Sequence, residues 1–317
     1  MCKRQGRREF LARSVLLAGT SEWLSSAILA DDVLERRKPV GLKISCSSLA
    51  FSDMPWDKAL AAIKKLGFRY ADLAMFEGWT HVSPSQLTEP EKLGKKIAEV
   101  CEKLAIEPIA IHANFRPSKD KKFPGLTASE LKYRRAIWEH FGRVLACARA
   151  ASIPLINVQP GKFFAELPRQ VCLDNAANVM RVMVRQADQH DIQVSFENHT
   201  GSVAEKPHDA LYLLEKVDGL RLDLDFSHVV ANSIPLKETL PLLKYVSHVG
   251  VRNAKAGDFN VPLAADGEMN YPLGDFISAL RQARVKAFVS VEYFEPKKRD
   301  SIPPLKKALE KLGLSSQ

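Results

Sequence analysis

The sequence predicts an α/β protein in which eight strand and helix units close into one (β/α)8 barrel. Short apolar runs alternate with longer amphipathic runs eight times between Gly41 and Gly313. This alternation is typical of βαβ units that build a parallel sheet, and eight units favour closure of that sheet. The 317 residues, 46% hydrophobic and 26% charged, suffice for a single large barrel domain.

The predicted strands are short and rich in Val, Ile, Leu or Phe. In chain order they are Leu42–Cys46, Tyr70–Met75, Pro108–His112, Leu155–Gln159, Gln193–Glu197, Arg221–Asp225, Ser247–Val251 and Phe288–Glu292. Helical runs lie between them. One has an apolar stripe at spacings of three and four residues, formed by Trp138, Phe141, Leu145 and Ala148. Thr127 followed by Glu130 predicts a capping box ahead of this helix.

An open doubly wound sheet would show the same alternation of strands and helices. That fold usually carries a glycine-rich phosphate turn after its first strand, because backbone amides at a helix N-terminus bind the phosphates. Here Cys46-Ser-Ser-Leu-Ala50 follows the first predicted strand, and neither GxGxxG nor GxxxxGK occurs in the chain. We therefore favour the closed barrel and expect no dinucleotide or P-loop site.

The amino-terminal residues are predicted to be a targeting signal rather than a part of the fold. Arg7-Arg-Glu-Phe-Leu11 precedes a mildly apolar run to Ala30, which resembles a twin-arginine export signal. We expect residues 1–30 to be this signal, residues 31–40 a linker, residues 41–313 the barrel and residues 314–317 a tail. Export would place the protein in the periplasm. An ordinary basic N-terminus is the alternative, because Glu22 interrupts the apolar run, and the protein would then stay in the cytoplasm.

Charge and cysteine content exclude several classes of partner. The formal charge of +9 is concentrated near the two ends of the chain, whereas a nucleic-acid surface needs cations spread along one face. We expect no nucleic-acid partner. The five cysteines form no CxxC or CxxH spacing and are expected to be small buried hydrophobes. No run approaches about 18 apolar residues, so no transmembrane helix is expected.

Side-chain alternation along the strands places polar residues at the mouth of the predicted barrel. Barrel enzymes keep their chemistry at the C-terminal ends of the strands. The residues that alternation turns inward there are His112, Asn157, Gln159, Ser195, Glu197, Asp223, Asp225, His248, Gly250 and Glu292. Any one of them could be a hydrogen-bonded interior group, but six consecutive strands ending in polar residues indicate a site.

Converging carboxylates raise an electrostatic problem. Glu197, Asp225 and Glu292 would repel one another unless they were protonated or paired with a cation. A divalent ion would solve the problem directly. Carboxylates together with imidazole suit Mn, Co, Mg or Zn.

Several segments resemble those of the xylose-isomerase-like TIM barrels. They are Val194-Ser-Phe-Glu-Asn-His199, Leu224-Asp-Phe-Ser-His228, His248-Val-Gly-Val-Arg252, Val289-Ser-Val-Glu292 and Gly67-Phe-Arg-Tyr-Ala-Asp72. The similarity extends from about Gly41 to Gly313. The superfamily contains sugar isomerases and 3-epimerases, inosose dehydratases and type IV apurinic endonucleases.

The resemblance implies a divalent metal bound by Glu197, Asp225, a histidine of strand seven and Glu292. The family pattern on strand seven is His-x-His, with the second histidine as ligand, and Gly250 occupies that position here. Two outcomes are open. Either His248 or a loop residue such as His81 completes the coordination together with water, or the site binds metal weakly or not at all.

By the same resemblance, the chain would be a metal-dependent sugar isomerase or epimerase acting on a small polyhydroxy carbonyl compound. Glu197 and Glu292 would be the paired base and acid that move a proton through an enediolate. The substrate contacts would come from His112, His228, Arg252, Trp79, His81, Gln159 and Lys255.

Three alternatives accompany this hypothesis. A dehydratase or lyase would share the first proton abstraction. A carbohydrate-binding barrel without activity would follow if the metal site was lost with Gly250. The endonuclease reaction is disfavoured because Asp258-Phe-Asn260 lacks the histidine of the expected Asp-x-His. Family members often associate through their outer helices, so a homo-oligomer is expected by resemblance.

Overall fold

The computed structural model describes residues 41–115 and 125–316, and these residues form a closed eight-stranded parallel barrel in sequential order. The strands are β1 Leu42–Ser47, β2 Tyr70–Phe76, β3 Glu107–Asn114, β4 Leu155–Val158, β5 Gln193–Glu197, β6 Arg221–Asp223, β7 Val246–Val251 and β8 Ala287–Val291. The fold predicted from the alternating pattern is confirmed. The predicted strand limits differ from these by at most two residues.

Helices cover the outside of the barrel, because each crossover between parallel strands must return to the same end of the sheet. In the described residues they are α1 Trp56–Lys65, α2 Pro90–Leu104, α3 Leu131–Ala150, α4 Arg169–Asp188, α5 Pro207–Lys216, α6 Phe226–Ala231, α7 Leu236–Thr239, α8 Leu273–Gln282 and α9 Ile302–Lys311. Short 3-10 turns occupy Ser48–Phe51, Pro84–Gln86, Gly125–Thr127, Leu240–Tyr245 and Pro296–Ser301. None of the described helices is long and apolar enough to cross a membrane.

The main core lies between the barrel and its helices. Val194 and Phe196 of β5 belong to this core and are fully or almost fully buried. The alternate residues of the same strand, Ser195 and Glu197, are also buried but belong to the polar interior of the barrel. Strand alternation therefore separates an outer apolar layer from the inner face, as the sequence predicted.

A second, smaller apolar cluster closes the amino-terminal end of the barrel interior. It includes Tyr70, Ala110, Leu155 and Phe288, and the rings of Tyr70 and Phe288 lie 4.8 Å apart. The polar side chains of the barrel mouth lie beyond this cluster in strand direction. The cluster excludes water from the amino-terminal end of the barrel. The buried polar side chains must therefore form hydrogen bonds and ion pairs with one another.

Two local predictions are wrong. The helix α3 begins at Leu131 without a side-chain cap, and Thr127 Oγ1 instead donates to the carbonyl of Lys162. The capping box is absent because Thr127 lies in a preceding 3-10 turn. The expected tail is also part of the fold: Leu314 is buried, and the carbonyl of Ser315 accepts from the amide of Ile44 at 2.7 Å.

The predicted export signal, the linker and Cys2 lie outside the described residues. The other four cysteines, Cys46, Cys101, Cys147 and Cys172, are buried free thiols, which confirms their predicted role. Burial raises the pKa of Cys101 and of Cys147 to about 12.

Candidate active site at the barrel mouth

Three carboxylates converge at the carboxyl ends of strands β5, β6 and β8. Glu197 is the last residue of β5, Asp225 follows β6 as the N-cap of α6, and Glu292 follows β8. Each is no more than 4% exposed. The parallel register brings these ends together, so residues that are far apart in sequence share one pocket.

Glu197 is held by hydrogen bonds on both of its oxygens. His228 Nε2 lies 3.1 Å from Oε1, and Gln159 Nε2 donates to Oε2 at 3.5 Å. Gln159 is itself oriented by Asn114, whose Nδ2 donates to Gln159 Oε1 at 2.6 Å. Burial alone would raise the pKa of Glu197, but His199, His228 and Arg252 outweigh burial and hold that pKa well below its usual range. Glu197 is therefore a carboxylate at neutral pH.

Glu292 has the opposite electrostatic environment. Burial, followed by the nearby charge of Glu197, raises the pKa of Glu292 well above its usual range. Its Oε2 has no hydrogen-bond partner among the described residues, and its Oε1 lies 3.8 Å from Nδ1 of His112. The pKa values of the two glutamates are thus shifted in opposite directions, down for Glu197 and up for Glu292.

Arg252, the residue after β7, places its guanidinium among these carboxylates. Nη2 lies 2.8 Å from Oδ2 of Asp225. Nη1 donates to the carbonyl of Glu292 and Nε to the carbonyl of Phe259, both at 2.7 Å. Only 2% of Arg252 is exposed, so this cation is a fixed component of the pocket. The sequence predicted Arg252 as a substrate contact.

His248 lies deeper in the barrel than the predicted metal site. Its Nδ1 lies 2.8 Å from Oδ1 of Asp223, and its Nε2 lies 3.3 Å from Oδ2 of Asp72. Burial opposes protonation, but the two carboxylates outweigh burial and raise the pKa of His248 well above its usual range. Asp223 also accepts from Asn157, and Asp72 accepts from Ser290. His248 is therefore an imidazolium bound between two aspartates.

The structure does not assemble the ligand set predicted from the resemblance. Donor atoms within 4.8 Å of one another occur, among the described residues, in three groups: Asp72 with His112 and His248, Glu197 with His199 and His228, and His112 with Asp223 and Glu292. Asp225 belongs to none of them. Its Oδ1 accepts from the amide and hydroxyl of Ser227, and its Oδ2 faces Arg252.

In two of these groups, a histidine has no free lone pair to offer a metal. A coordinating imidazole nitrogen must be unprotonated, and His248 holds a proton on each nitrogen. The amide of Thr200 donates to Nδ1 of His228 at 3.2 Å, and Nε2 lies 3.1 Å from Oε1 of Glu197 and 3.0 Å from Nη2 of Arg252, so both ring nitrogens already have partners within the protein. The residues present therefore do not fit a metal at the predicted position.

The group of His112, Asp223 and Glu292 differs from the other two groups. Nε2 of His112 has no hydrogen-bond partner among the described residues and lies 3.9 Å from Oδ2 of Asp223. Both oxygens of Asp223 already accept hydrogen bonds, from His248 and Asn157. His112, predicted as a substrate contact, lies between the deep aspartate layer and Glu292.

A cavity of about 130 Å³ opens above the carboxylates. It is lined by Leu49, Phe76, Trp79, Gln159, Glu197, His199, Arg252, Phe259, Glu292 and Phe294. One wall is polar and carries both glutamates, and the other is aromatic. The ring of Trp79 lies 5.4 Å from Phe76 and 6.3 Å from Phe294, and Trp79 remains 45% exposed. The prediction that Trp79 lies at the mouth agrees with this position.

Four predicted substrate contacts do not line this cavity: His81, Lys255, His112 and His228. The ring nitrogens of His81 lie 2.8 Å from the carbonyl of Met54 and 3.1 Å from that of Ser48, so His81 joins two loops. Lys255 is exposed and bridges to Asp258 through its backbone. His228 contacts the site through Glu197 and packs against the ring of Phe259, with centroids 4.3 Å apart.

Sequence reasoning missed several lining residues. His199 and Phe294 each lie two positions beyond a predicted catalytic glutamate, and alternation beyond the strand end could have identified both. Burial lowers the pKa of His199 to about 4, so this ring is neutral. Phe259 lies in a loop, and no local pattern indicates that its ring covers the site.

Comparisons with known proteins agree with this geometry. Residues 60–314 match the family described as xylose isomerase-like TIM barrel. A comparison with curated protein sequences finds no significant match.

Solved structures with the same fold include proteins with different activities. A D-tagatose 3-epimerase-like protein is 17% identical, with a TM-score of 0.67 over 86% of this chain and 98% of that one. The probable 3-DHS dehydratase AsbF of Bacillus anthracis, involved in petrobactin synthesis, is 19% identical, with a TM-score of 0.64 over 84% and 98%. The IOLI protein, solved with a bound zinc atom, is 17% identical, with a TM-score of 0.66 over 85% and 97%. At these identities the likeness shows the fold alone.

Proposed function

Because this chain belongs to the xylose isomerase-like TIM barrel family, we propose that it is an isomerase or epimerase that removes a proton from the carbon next to the carbonyl of a small polyhydroxy compound and returns a proton to the resulting enolate. One observation carries the proposal. Glu197 and Glu292 are buried carboxyl groups that line the same cavity from the ends of two different strands. A substrate in this cavity would lie within reach of both groups.

The two glutamates suit opposite roles. Glu197 is held as a carboxylate by His228 and Gln159, so it is the base that removes the proton from the carbon next to the carbonyl. The electron pair of the broken C–H bond then forms a C=C bond, and the carbonyl oxygen becomes an enolate oxygen. Glu292 holds a proton that it delivers to the same carbon while the C=O bond forms again, and delivery to the opposite face gives the epimer. In an isomerisation the enolate oxygen instead takes up a proton, the neighbouring hydroxyl loses its proton and becomes the new carbonyl, and Glu292 delivers its proton to the former carbonyl carbon. Paired groups with separated proton affinities are the usual arrangement for such transfer.

The lining of the cavity suits a small polyhydroxy substrate. The aromatic wall of Phe76, Trp79 and Phe294 can pack against the C–H face of a sugar. Gln159 lies on the polar wall, where an amide can exchange hydrogen bonds with substrate hydroxyls.

Hydrogen exchange with solvent tests the proposal directly. The full chain is incubated in D2O with a panel of ketoses, aldoses and inososes, and proton NMR follows the C–H group next to the carbonyl. We expect deuterium to enter that position with wild type and not with Glu197→Gln or Glu292→Gln. Glu99→Gln, which changes an exposed glutamate on α2, is the matched control and should exchange normally.

The same spectra distinguish the other hypotheses. Binding of a panel member without exchange in wild type would contradict the enzyme and favour a carbohydrate-binding barrel. Exchange accompanied by loss of water would show a dehydratase. Unchanged exchange in both glutamine variants would refute the assigned roles of Glu197 and Glu292.

A further inference from the structure

The carboxylates of the pocket already have a cation. Nη2 of Arg252 lies 2.8 Å from Oδ2 of Asp225, and Nη1 donates a hydrogen bond to the carbonyl of Glu292. An arginine guanidinium is charged at physiological pH, so the pocket holds a permanent positive charge beside Asp225. The repulsion that would otherwise require a metal among these carboxylates is therefore reduced by a residue of the chain itself.

Gly250 explains how Asp225 reaches Arg252. An added Cβ at position 250 would lie 2.9 Å from Cγ and 3.0 Å from Oδ2 of Asp225, which is too close for the aspartate to keep its position. A histidine at position 250 would therefore displace it. The absence of a side chain at position 250 therefore allows the ion pair between Asp225 and Arg252.

The guanidinium also has an N–H group left for a ligand. Nε and one N–H of Nη1 donate to carbonyl oxygens, while Nη2 lies 2.8 Å from Oδ2 of Asp225 and 3.0 Å from Nε2 of His228. A guanidinium carries five N–H groups, so among the interactions of the described residues one N–H of Nη1 has no acceptor. Arg252 lines the cavity together with Glu197 and Glu292. A substrate oxygen in that cavity can therefore accept from an arginine that is already held in place.

We infer that Arg252 is the resident cation of this pocket, and that it takes the place of a divalent ion by pairing with Asp225 and by binding the substrate oxygen that becomes negative. Fixed arginine donors stabilise developing negative charge in a site that is shielded from water. The second part of the inference rests on the proposed proton transfer. The first part concerns only the occupancy of the pocket and stands independently of any reaction.

The test compares divalent-ion affinity in five proteins: wild type, Arg252→Lys, Arg252→Met, Asp225→Asn and the double variant Arg252→Met with Asp225→Asn. Calorimetric titration with MnCl2 and with ZnCl2 gives the affinity, and thermal unfolding with and without each salt gives a second readout. We expect Arg252→Met to bind at least about tenfold more tightly than wild type and to melt at a higher temperature when the ion is added. The lysine variant keeps the cation and should behave like wild type.

Dependence on Asp225 locates the new site. The double variant should lose the added affinity, because Asp225 would be a ligand once it is released from Arg252. A folded Arg252→Met that binds no more tightly than wild type would overturn the inference. So would wild-type affinity that falls in Asp225→Asn, because the ion would then already use this aspartate, and this comparison decides the question even if Arg252→Met does not fold.

The outcome is separable from that of the proposed function. The titrations need no substrate, so they can succeed while the exchange experiment fails. If exchange occurs, it should persist in wild type after exhaustive dialysis against EDTA. Exchange that disappears with EDTA and returns with one added ion would overturn the catalytic part of the inference and leave proton transfer intact.

Discussion

The substitution His248→Gln probes the deepest polar layer of the barrel. His248 is fully buried between Asp72 and Asp223, at 3.3 Å and 2.8 Å. Glutamine has a similar size and can replace a hydrogen bond but cannot carry the charge. The variant would leave two buried carboxylates without their cation, and each would have to be protonated on folding or remain unpaired.

The magnitude follows from this burial. Removing one partner of a buried ion pair costs about 3–5 kcal/mol, compared with a total stability of roughly 5–15 kcal/mol for a typical domain. At about 2 °C per kcal/mol for a large domain, the melting temperature should fall by about 6–10 °C. Thermal unfolding followed by far-UV circular dichroism measures this change, and His190→Gln on the exposed surface is the matched control.

The pH dependence has a defined sign. Because the folded-state pKa of His248 is raised, its stabilising contribution is fully present below its unfolded pKa of about 6.5 and is lost as the pH rises through the folded pKa. The stability difference between wild type and His248→Gln should therefore be largest at mildly acidic pH and shrink under alkaline conditions. A difference below about 1 kcal/mol at mildly acidic pH, or one that grows with pH, would refute the buried imidazolium.

Two further predictions concern a helix contact and the cavity wall. Gly94→Ala should lower the free energy of unfolding in urea by about 1–3 kcal/mol, because its Cβ would lie 2.7 Å from that of Ala150. Gly142→Ala should instead raise stability by about 0.5–1 kcal/mol, since no atom lies within 4 Å of its Cβ, and equal effects at both sites would contradict this difference in packing. Trp79→Ala should weaken binding of any sugar that the NMR panel identifies by about 0.5–1.5 kcal/mol without lowering the melting temperature, whereas Trp79→Phe should keep most of the affinity.

Much of the fold and part of the site follow from local sequence. The period-two pattern of each strand determines which side chains face the barrel interior, and the closed parallel arrangement determines that their carboxyl ends meet. This reasoning predicts Glu197, Asp225 and Glu292 at one mouth. It also predicts the electrostatic problem that they create, because like charges in a confined space require compensation.

The identity of the compensating group depends on tertiary structure. Sequence reasoning predicted a divalent ion with His248 among its ligands, whereas the structure pairs His248 with Asp72 and Asp223 and pairs Asp225 with Arg252. Alternation along a strand gives the face of a side chain but not its depth. His248 lies two residues before Gly250, one layer nearer the apolar base of the barrel.

The sequence by itself therefore determines the barrel, the end that carries the site and the acidic residues gathered there, since these depend on short-range patterns. Only the tertiary structure decides which cation meets which carboxylate. That choice depends on distances of a few ångströms between residues from different strands, and Coulomb and hydrogen-bond energies in a buried site change steeply over such distances. No periodicity within one segment contains this information.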